Sequence, residues 1–312
     1  MQLLQGNIRS GQQLRSSGNR LRSSKQDTVY YAICYFIVGL LTLLVLYPIV
    51  YVISASFSSG SAIAQGRVWL FPVDFSLRGY QAVLRYRNLW IGYRNTIFYT
   101  SAGTLINIAM TMICAYPLAR KNLRGRKFIT LMFTFTMIFS GGMIPSFILV
   151  RSLGMLNTVW AMLIPSAMSV FNMIVARTFI QNSIPDELLE AAKIDGCSDF
   201  RYFFMIVLPL SKAVIAVITI FYAVGHWNSF FSAFLFLTDM NLFPLQIFLR
   251  EILIQNQFSA ELADPELVAD MHNMQALLKY AVIVVSTVPL FSLYPLAQKH
   301  FVKGVMIGSV KG

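Results

Sequence analysis

Charge is what this sequence has least of. Only 12% of its 312 residues are Asp, Glu, Lys or Arg, against about 25% in soluble domains. Acidic residues are the scarcer kind, thirteen against twenty-five basic ones, which leaves a net charge of +12. So thin a polar cover, beside 56% hydrophobic residues, excludes an ordinary soluble globule and points to a lipid bilayer. A basic excess can mark a nucleic-acid partner, but here Lys and Arg punctuate apolar runs instead of clustering on a soluble fold, so no nucleic acid is expected. Cysteine is scarce too. Cys34 and Cys114 sit in apolar stretches and Cys197 in a polar one, which excludes a disulfide framework or a CxxC metal site. No G-x4-G-K-[ST] phosphate loop occurs, and no cluster of His, Asp, Glu or Cys could build a catalytic centre. The chain reads as neither an enzyme nor the holder of a metal or cofactor.

What it does have is long apolar runs. After a Ser-, Gly-, Gln- and Arg-rich stretch at 1–28, too polar to order itself, comes a run at 29–53. It exceeds the roughly 7–15 residues of a signal-peptide core and suffices to cross about 30 Å of hydrocarbon. Further runs at 96–119, 128–150, 158–180, 204–235 and 278–298 predict an all-α membrane protein with six spans within 29–299, followed by a tail at 300–312. Residues 243–256 are too short to span and carry Arg250 and Glu251 at their centre. They read as a surface helix with Leu245, Phe248, Leu249, Ile252 and Leu253 on its apolar face. Basic residues gather at 9–25, at 120–127 and at Lys299, Lys303 and Lys311, so the positive-inside rule sets both termini in the cytoplasm. The connections at about 54–95 and 236–277 then face outward as candidate docking surfaces. Tyr30, Tyr31 and Trp160 fit headgroup anchors.

The stretch "PDELLEAAKIDGCSDFRYFFMIVLPL" at 185–210 holds five of the thirteen acidic residues. Ser183 is a candidate cap for a helix with Pro185, Asp186 and Glu187 in its first turn. Gly196 stops that helix, and Ser198 caps a second one. Leu188, Ala191, Ala192 and Asp195 would share one face, with the alanines open to close approach. Glu-Ala-Ala by itself is also what any surface helix would use.

The longer spacing is more specific. Glu190, Ala191 and Ala192, then three residues, Gly196, nine residues, Ile206, one residue, Leu208 and Pro209 closely resemble the E-A-A-x3-G-x9-I-x-L-P signature of permease subunits of binding-protein-dependent ABC importers. "RKNLRGRK", "GHWNSFF" and the terminal "GSVKG" are similar to the carbohydrate branch, in particular the second permease of maltose-type transporters. "SGGMIPSFILV" and "FYAVGHWNSFFSA" resemble its LplC-like or YtcP-like oligosaccharide group.

The resemblance implies a bacterial inner-membrane permease working by alternating access beside a second, different permease. Two partner ATPase subunits would hold ATP and Mg²⁺, and an external sugar-binding protein would deliver the cargo. It also implies that a coupling helix within 184–200, through Glu190, Ala191, Ala192, Asp195 and Gly196, sits in a cleft of the ATPase. The terminal segment would make a second contact there. An importer of a non-sugar solute is the alternative within the family.

A secondary transporter would need ionisable groups at depth. Arg177 and Lys212 lie near span ends, which leaves His226. Thr219, Tyr222, His226 and Ser229 recur at helical spacing with Trp227 and Asn228 beside them, and Ser169 and Asn172 form a smaller set. These residues either line a sugar pathway or bond to neighbouring helices.

Overall fold

The computed structural model describes residues 25–255 and 273–292. The expected tails, and the acidic part of the second outer connection with Glu261, Asp264, Glu266 and Asp270, lie outside them. All regular structure among the described residues is helical. In chain order the helices are α1 (Lys25–Ser56), α2 (Gly60–Ala64), α3 (Arg78–Arg85), α4 (Arg87–Ala119), α5 (Arg126–Ile138), α6 (Met143–Ser152), α7 (Trp160–Leu163), α8 (Val170–Ser183) and α9 (Asp186–Ile194). A bent run follows, made of α10 (Asp199–Tyr202), a π-helical turn (Phe203–Val207), α11 (Leu208–Leu210) and α12 (Lys212–Trp227). Then come α13 (Phe231–Phe236), α14 (Leu245–Gln255) and α15 (Asn273–Ser292).

The chain divides into two compact units, Met1–Val50 and Tyr51–Gly312. In the first, the described part of α1 exposes apolar side chains on every side, from Tyr30 and Ile33 to Leu44 and Leu46. A rod apolar all round is what a bilayer solvates. The second unit is organised on α4, whose faces are distributed for lipid instead of water. Its buried side is rich in small and polar residues, among them Gly92, Thr96, Tyr99, Gly103, Asn107, Thr111 and Ala115, beside Leu89, Met112 and Leu118. Its exposed side carries Ile97, Leu105, Met110 and Ile113. Since lipid tails reward no apolar burial between helices, close backbone approach and interhelical hydrogen bonds hold such a bundle together.

Three helical segments among the described residues, Val29–Ser56, α4 and Asn273–Ser292, are long and apolar enough to cross a membrane, or up to five if each bent pair is one span. The breaks correct the straight runs read from sequence. Within 128–150, α5 and α6 meet at 112° across a link whose Gly142 has φ +86, a left-handed conformation open to glycine. Within 204–235, the helix bends by 79° at Ser211, two residues after Pro209, whose ring cannot continue a regular ladder. Within 158–180, Pro165 lies between α7 and α8 in an interval that is not helical.

α14 has the predicted apolar face, but that face is turned into the protein. Leu245 and Phe248 are fully buried and Leu249 nearly so; Leu245 and Leu249 join Val83, Leu89, Trp227 and Ala281, and Phe248 lies against Gly92. A Cβ at Gly92 would come within 2.9 Å of Leu245 Cα, so the glycine is what lets the two backbones touch. α4 also satisfies the chain that leads into α14. Asn95 Nδ2 donates to the carbonyls of Asn241 (2.6 Å) and Phe243 (3.0 Å), Tyr99 Oη donates to that of Leu242 (2.9 Å), and Thr96 Oγ1 accepts from the Leu245 amide (2.8 Å). Irregular backbone is tolerated near a membrane only when its polar groups are paired within the protein. The connection at 54–95 is likewise folded: α2 and α3 lie within it, and Ala55, Ala62 and Val68 pack with Val73 and Tyr280.

Candidate coupling surface and polar cavity

At the C-terminal end of α4 the backbone carbonyls that lack helical partners are bound by α8. Arg177 Nε donates to Leu118 O at 3.0 Å and Gln181 Nε2 to Ala119 O at 3.2 Å. The next residue, Arg120, sets its guanidinium over the rings of Tyr116 and Tyr202, each 5.5 Å away. That ties the basic loop to α10. Lys121 then reaches α9, with Nζ 2.9 Å from Asp186 Oδ2. The hydrogen bond from Lys121 holds the Asp186 carboxyl below its usual range, and the same bond raises the Lys121 ammonium.

α9 starts differently from the sequence expectation. Ser183 is the last residue of α8, and the N-cap of α9 is Pro185 (φ −61, ψ 145), which makes no side-chain cap. Proline drives the residue before it out of helical conformation, and Ile184 is accordingly extended at φ −118, ψ 104. The helix end is as predicted. Gly196 has φ +70, the Cys197 amide donates to Ala192 O (2.8 Å) and the Gly196 amide to Lys193 O (3.0 Å), the double closure of a Schellman turn. Ser198 Oγ then accepts from the Arg201 amide at 3.3 Å, capping α10.

The shared face divides. Ala192 and Leu189 are buried with Ile184, Tyr202 and Phe203, whereas Leu188, Glu190, Ala191 and Asp195 face outward. Ala192 is therefore the residue that seats α9 on its own bundle, and Ala191 is the one open to approach. Glu190 makes no hydrogen bond or ion pair among the described residues. One turn on from it along α9, Ile194 is 87% exposed, and on α10 Phe200 is 74% exposed. Bare apolar side chains this large on the two helices that carry a free carboxylate make a surface suited to a protein partner.

Farther up, α12 packs along α4. His226 lies against Gly103 so closely that a Cβ there would collide with the imidazole. Asn107 donates through Nδ2 to Ser166 O, which leaves its Oδ1 to accept from His226 Nε2 at 2.6 Å. Tyr222 Oη and Thr111 Oγ1 are 2.6 Å apart, and Tyr222 Oη also accepts from the Ser169 amide at 3.0 Å. Trp227 Nε1 donates to Ser286 O on α15 at 3.3 Å, and Thr219 bonds back to Ile215 O within its own helix. Asn172 is buried in α8. Much of the predicted stripe is thus occupied in holding helices together.

One side of it is open. A cavity of about 390 Å³ is lined by Ser169, Tyr222, His226, Asn228 and Ser229, with Asn107 and Ser166 from the facing elements. Trp227, Thr219 and Asn172 are not among its walls. Asn107 and Thr111 belong to this polar centre but escaped the sequence reading, although the recurrence of Gly103, Asn107, Thr111 and Ala115 every four residues was the available signal.

Residues 107–307 match the family model described as binding-protein-dependent transport system inner membrane component. The chain is 42% identical over 278 residues to protein LplC of Bacillus subtilis (strain 168), covering 88% of this chain and 91% of that one. It is 41% identical over 272 residues to the polygalacturonan/rhamnogalacturonan transport system permease protein YtcP of the same organism, covering 85% and 92%. A chain in the crystal structure of a bacterial ABC transporter involved in the import of the acidic polysaccharide alginate superimposes with a TM-score of 0.80 at 34% identity, covering 89% of this chain and 98% of that one. On these likenesses and its own signature helix, the chain belongs to the binding-protein-dependent transport system inner membrane components, the permease subunits of ABC importers.

Proposed function

We propose that this chain forms half of the pathway of an ATP-driven oligosaccharide importer and converts ATPase movement into opening and closing of that pathway through α9. It works beside a second, different permease, above two ATPase subunits that bind ATP and Mg²⁺, and below an extracytoplasmic sugar-binding protein. The chain crosses the bacterial cytoplasmic membrane six times with both termini inside. The observation that carries the coupling role is the outward face of α9, where Glu190, Ala191 and Ile194 lie exposed while Leu189 and Ala192 anchor the helix to the core beneath α4 and α8. A push on such a helix must move the bundle it is seated in. An oligosaccharide cargo is supported by the relatives named for transport of polygalacturonan/rhamnogalacturonan and import of alginate, and by the walls of hydroxyl, amide and aromatic groups around the cavity.

The experiment is purification of the intact complex from its native membrane, identification of the co-purifying chains, and ligand screening of the binding protein. Two ATPase copies, a second permease and a sugar-specific binding protein are expected. Transport by this chain alone in liposomes, driven by an ion gradient, would refute the proposal.

A further inference from the structure

The cavity beside α12 has no Asp, Glu, Lys or Arg in its walls, yet a cation stands at its rim. Phe230, one of the lining residues, carries the guanidinium of Arg250 over its ring at 4.4 Å from the centroid, and Phe234, stacked on Phe230, lies 5.5 Å from the same group. One turn earlier on α14, Gln246 Nε2 reaches Asn228 Oδ1 at 3.4 Å, and Asn228 is also a lining residue. Gln246 and Arg250, four residues apart, therefore project from one face of α14 toward one edge of the cavity.

Arg250 is exposed, and among the described residues it makes no hydrogen bond or ion pair beyond the two rings. Its position is informative because α14 is otherwise committed to burial through Leu245, Phe248 and Leu249. With none of its N–H groups bonded among the described residues, the guanidinium keeps its donor fork free, and that fork fits a carboxylate through two parallel hydrogen bonds. The neutral amides and hydroxyls within the cavity suit sugar hydroxyl groups; the rim alone supplies a fixed positive charge.

Resting on the sugar-import reading above, we propose that Arg250, set by Phe230 and Phe234, is a specificity residue that takes the carboxylate of an acidic sugar unit at the mouth of the cavity, so that the cargo class is uronate-containing oligosaccharides.

The test uses the complete transporter, both permeases, the ATPases and the binding protein, in liposomes, with tri-galacturonate and its fully methyl-esterified form as probes. The two differ in charge and hardly in shape. Arg250→Gln should lower uptake of the acid at subsaturating concentration about tenfold, the effect of losing one charge-assisted contact, and leave the ester unchanged. Arg250→Lys, which keeps the charge but not the fork, should lose part of the acid uptake and none of the ester uptake; it serves in its place if Arg250→Gln fails to assemble. Equal losses for acid and ester would make Arg250 a packing or lipid-anchoring residue and overturn the proposal, as would no loss for either. A wild-type complex that imports only neutral oligosaccharides overturns the carboxylate assignment and leaves sugar import standing. One that imports no sugar at all removes both.

Discussion

Replacing Gly196 by valine tests the proposed coupling turn with little else disturbed. The residue sits at φ +70, and no heavy atom lies within 4 Å of the position a Cβ would occupy. The cost of a side chain is therefore conformational and not steric crowding by neighbours. A Cβ in the left-handed region costs roughly 1–2 kcal/mol, and valine, branched at that carbon, is among the residues least suited to it. If the chain escapes by opening the turn, it gives up the Cys197 and Gly196 closing bonds, roughly 0.5–1.5 kcal/mol each. The first route lowers the population of the native turn by a factor of about 5 to 30, and the loss of both bonds, about 1–3 kcal/mol together, by about 5 to 150. Asparagine tolerates the left-handed region and should retain most of it. The measurements are co-purification of the ATPase subunits and ATP-driven uptake in membrane vesicles, with membrane insertion and pairing with the second permease as controls. Gly196→Val should insert and pair normally yet lose ATPase binding or coupling, with Gly196→Asn in between. Normal values for valine, or equal defects for valine and asparagine, would refute the argument that the backbone conformation at this glycine matters.

Other changes separate the parts of the machine. Glu190→Lys should insert normally but weaken ATPase retention: by about 3–5 kcal/mol if its partner cation becomes buried on docking, about 1 or less if the pair stays at a wet rim, as read from co-purification against salt. His226→Ala and Asn228→Ala should reduce sugar uptake more than basal ATP hydrolysis, with His226→Ala the more damaging because it also removes the bond to Asn107; failure of complex assembly would instead assign both residues to packing. The Lys121–Asp186 pair should be indifferent to pH across the neutral range. With the Asp186 carboxyl depressed and the Lys121 ammonium raised, its contribution is complete between the ordinary values of about 4 and 10.4; it is lost as pH falls through the folded Asp186 value or rises through that of Lys121. Hydrogen exchange of the α9 amides in Asp186→Asn should match wild type at acid pH and exceed it at neutral pH.

The turn that ends α9 could be read from the chain because its determinants are local: a glycine that must be left-handed and a serine two residues later that must cap. The start of α9 could not, since Ser183 looks like a cap until Pro185 and the extended Ile184 take over the turn. Apolar windows found the long apolar helices but were blind to the bends at Gly142 and Ser211, because hydropathy averages over the glycines and prolines that break a helix. The apolar face of α14 was legible, while its partner was not. Whether such a face meets lipid headgroups or protein depends on Gly92, more than 150 positions earlier in the chain. The polar stripe of α12 was found as a pattern, but its division between interhelical bonds and cavity wall rests on Asn107 and Thr111 across the interface.

α4 touches α14 near Gly92 and Thr96, the imidazole of α12 at Gly103 and Asn107, and the bundle that seats α9 at Ala115 and Leu118, all along one unbroken helix of 33 residues. At 1.5 Å per residue such a rod is about 50 Å long. Its three stations are therefore set by rotational phase as much as by distance. One residue added between Gly103 and Thr111 would turn everything beyond it by about 100°, swinging the station at Ala115 and Leu118 away from its partners while the one at Gly92 and Thr96 stayed engaged. Seven added residues would bring the phase back to within about 20° but displace the stations by about 10 Å. The length of this helix is thus a calibrated quantity, and a chain could change any lipid-facing side chain along it more safely than it could gain or lose a single residue.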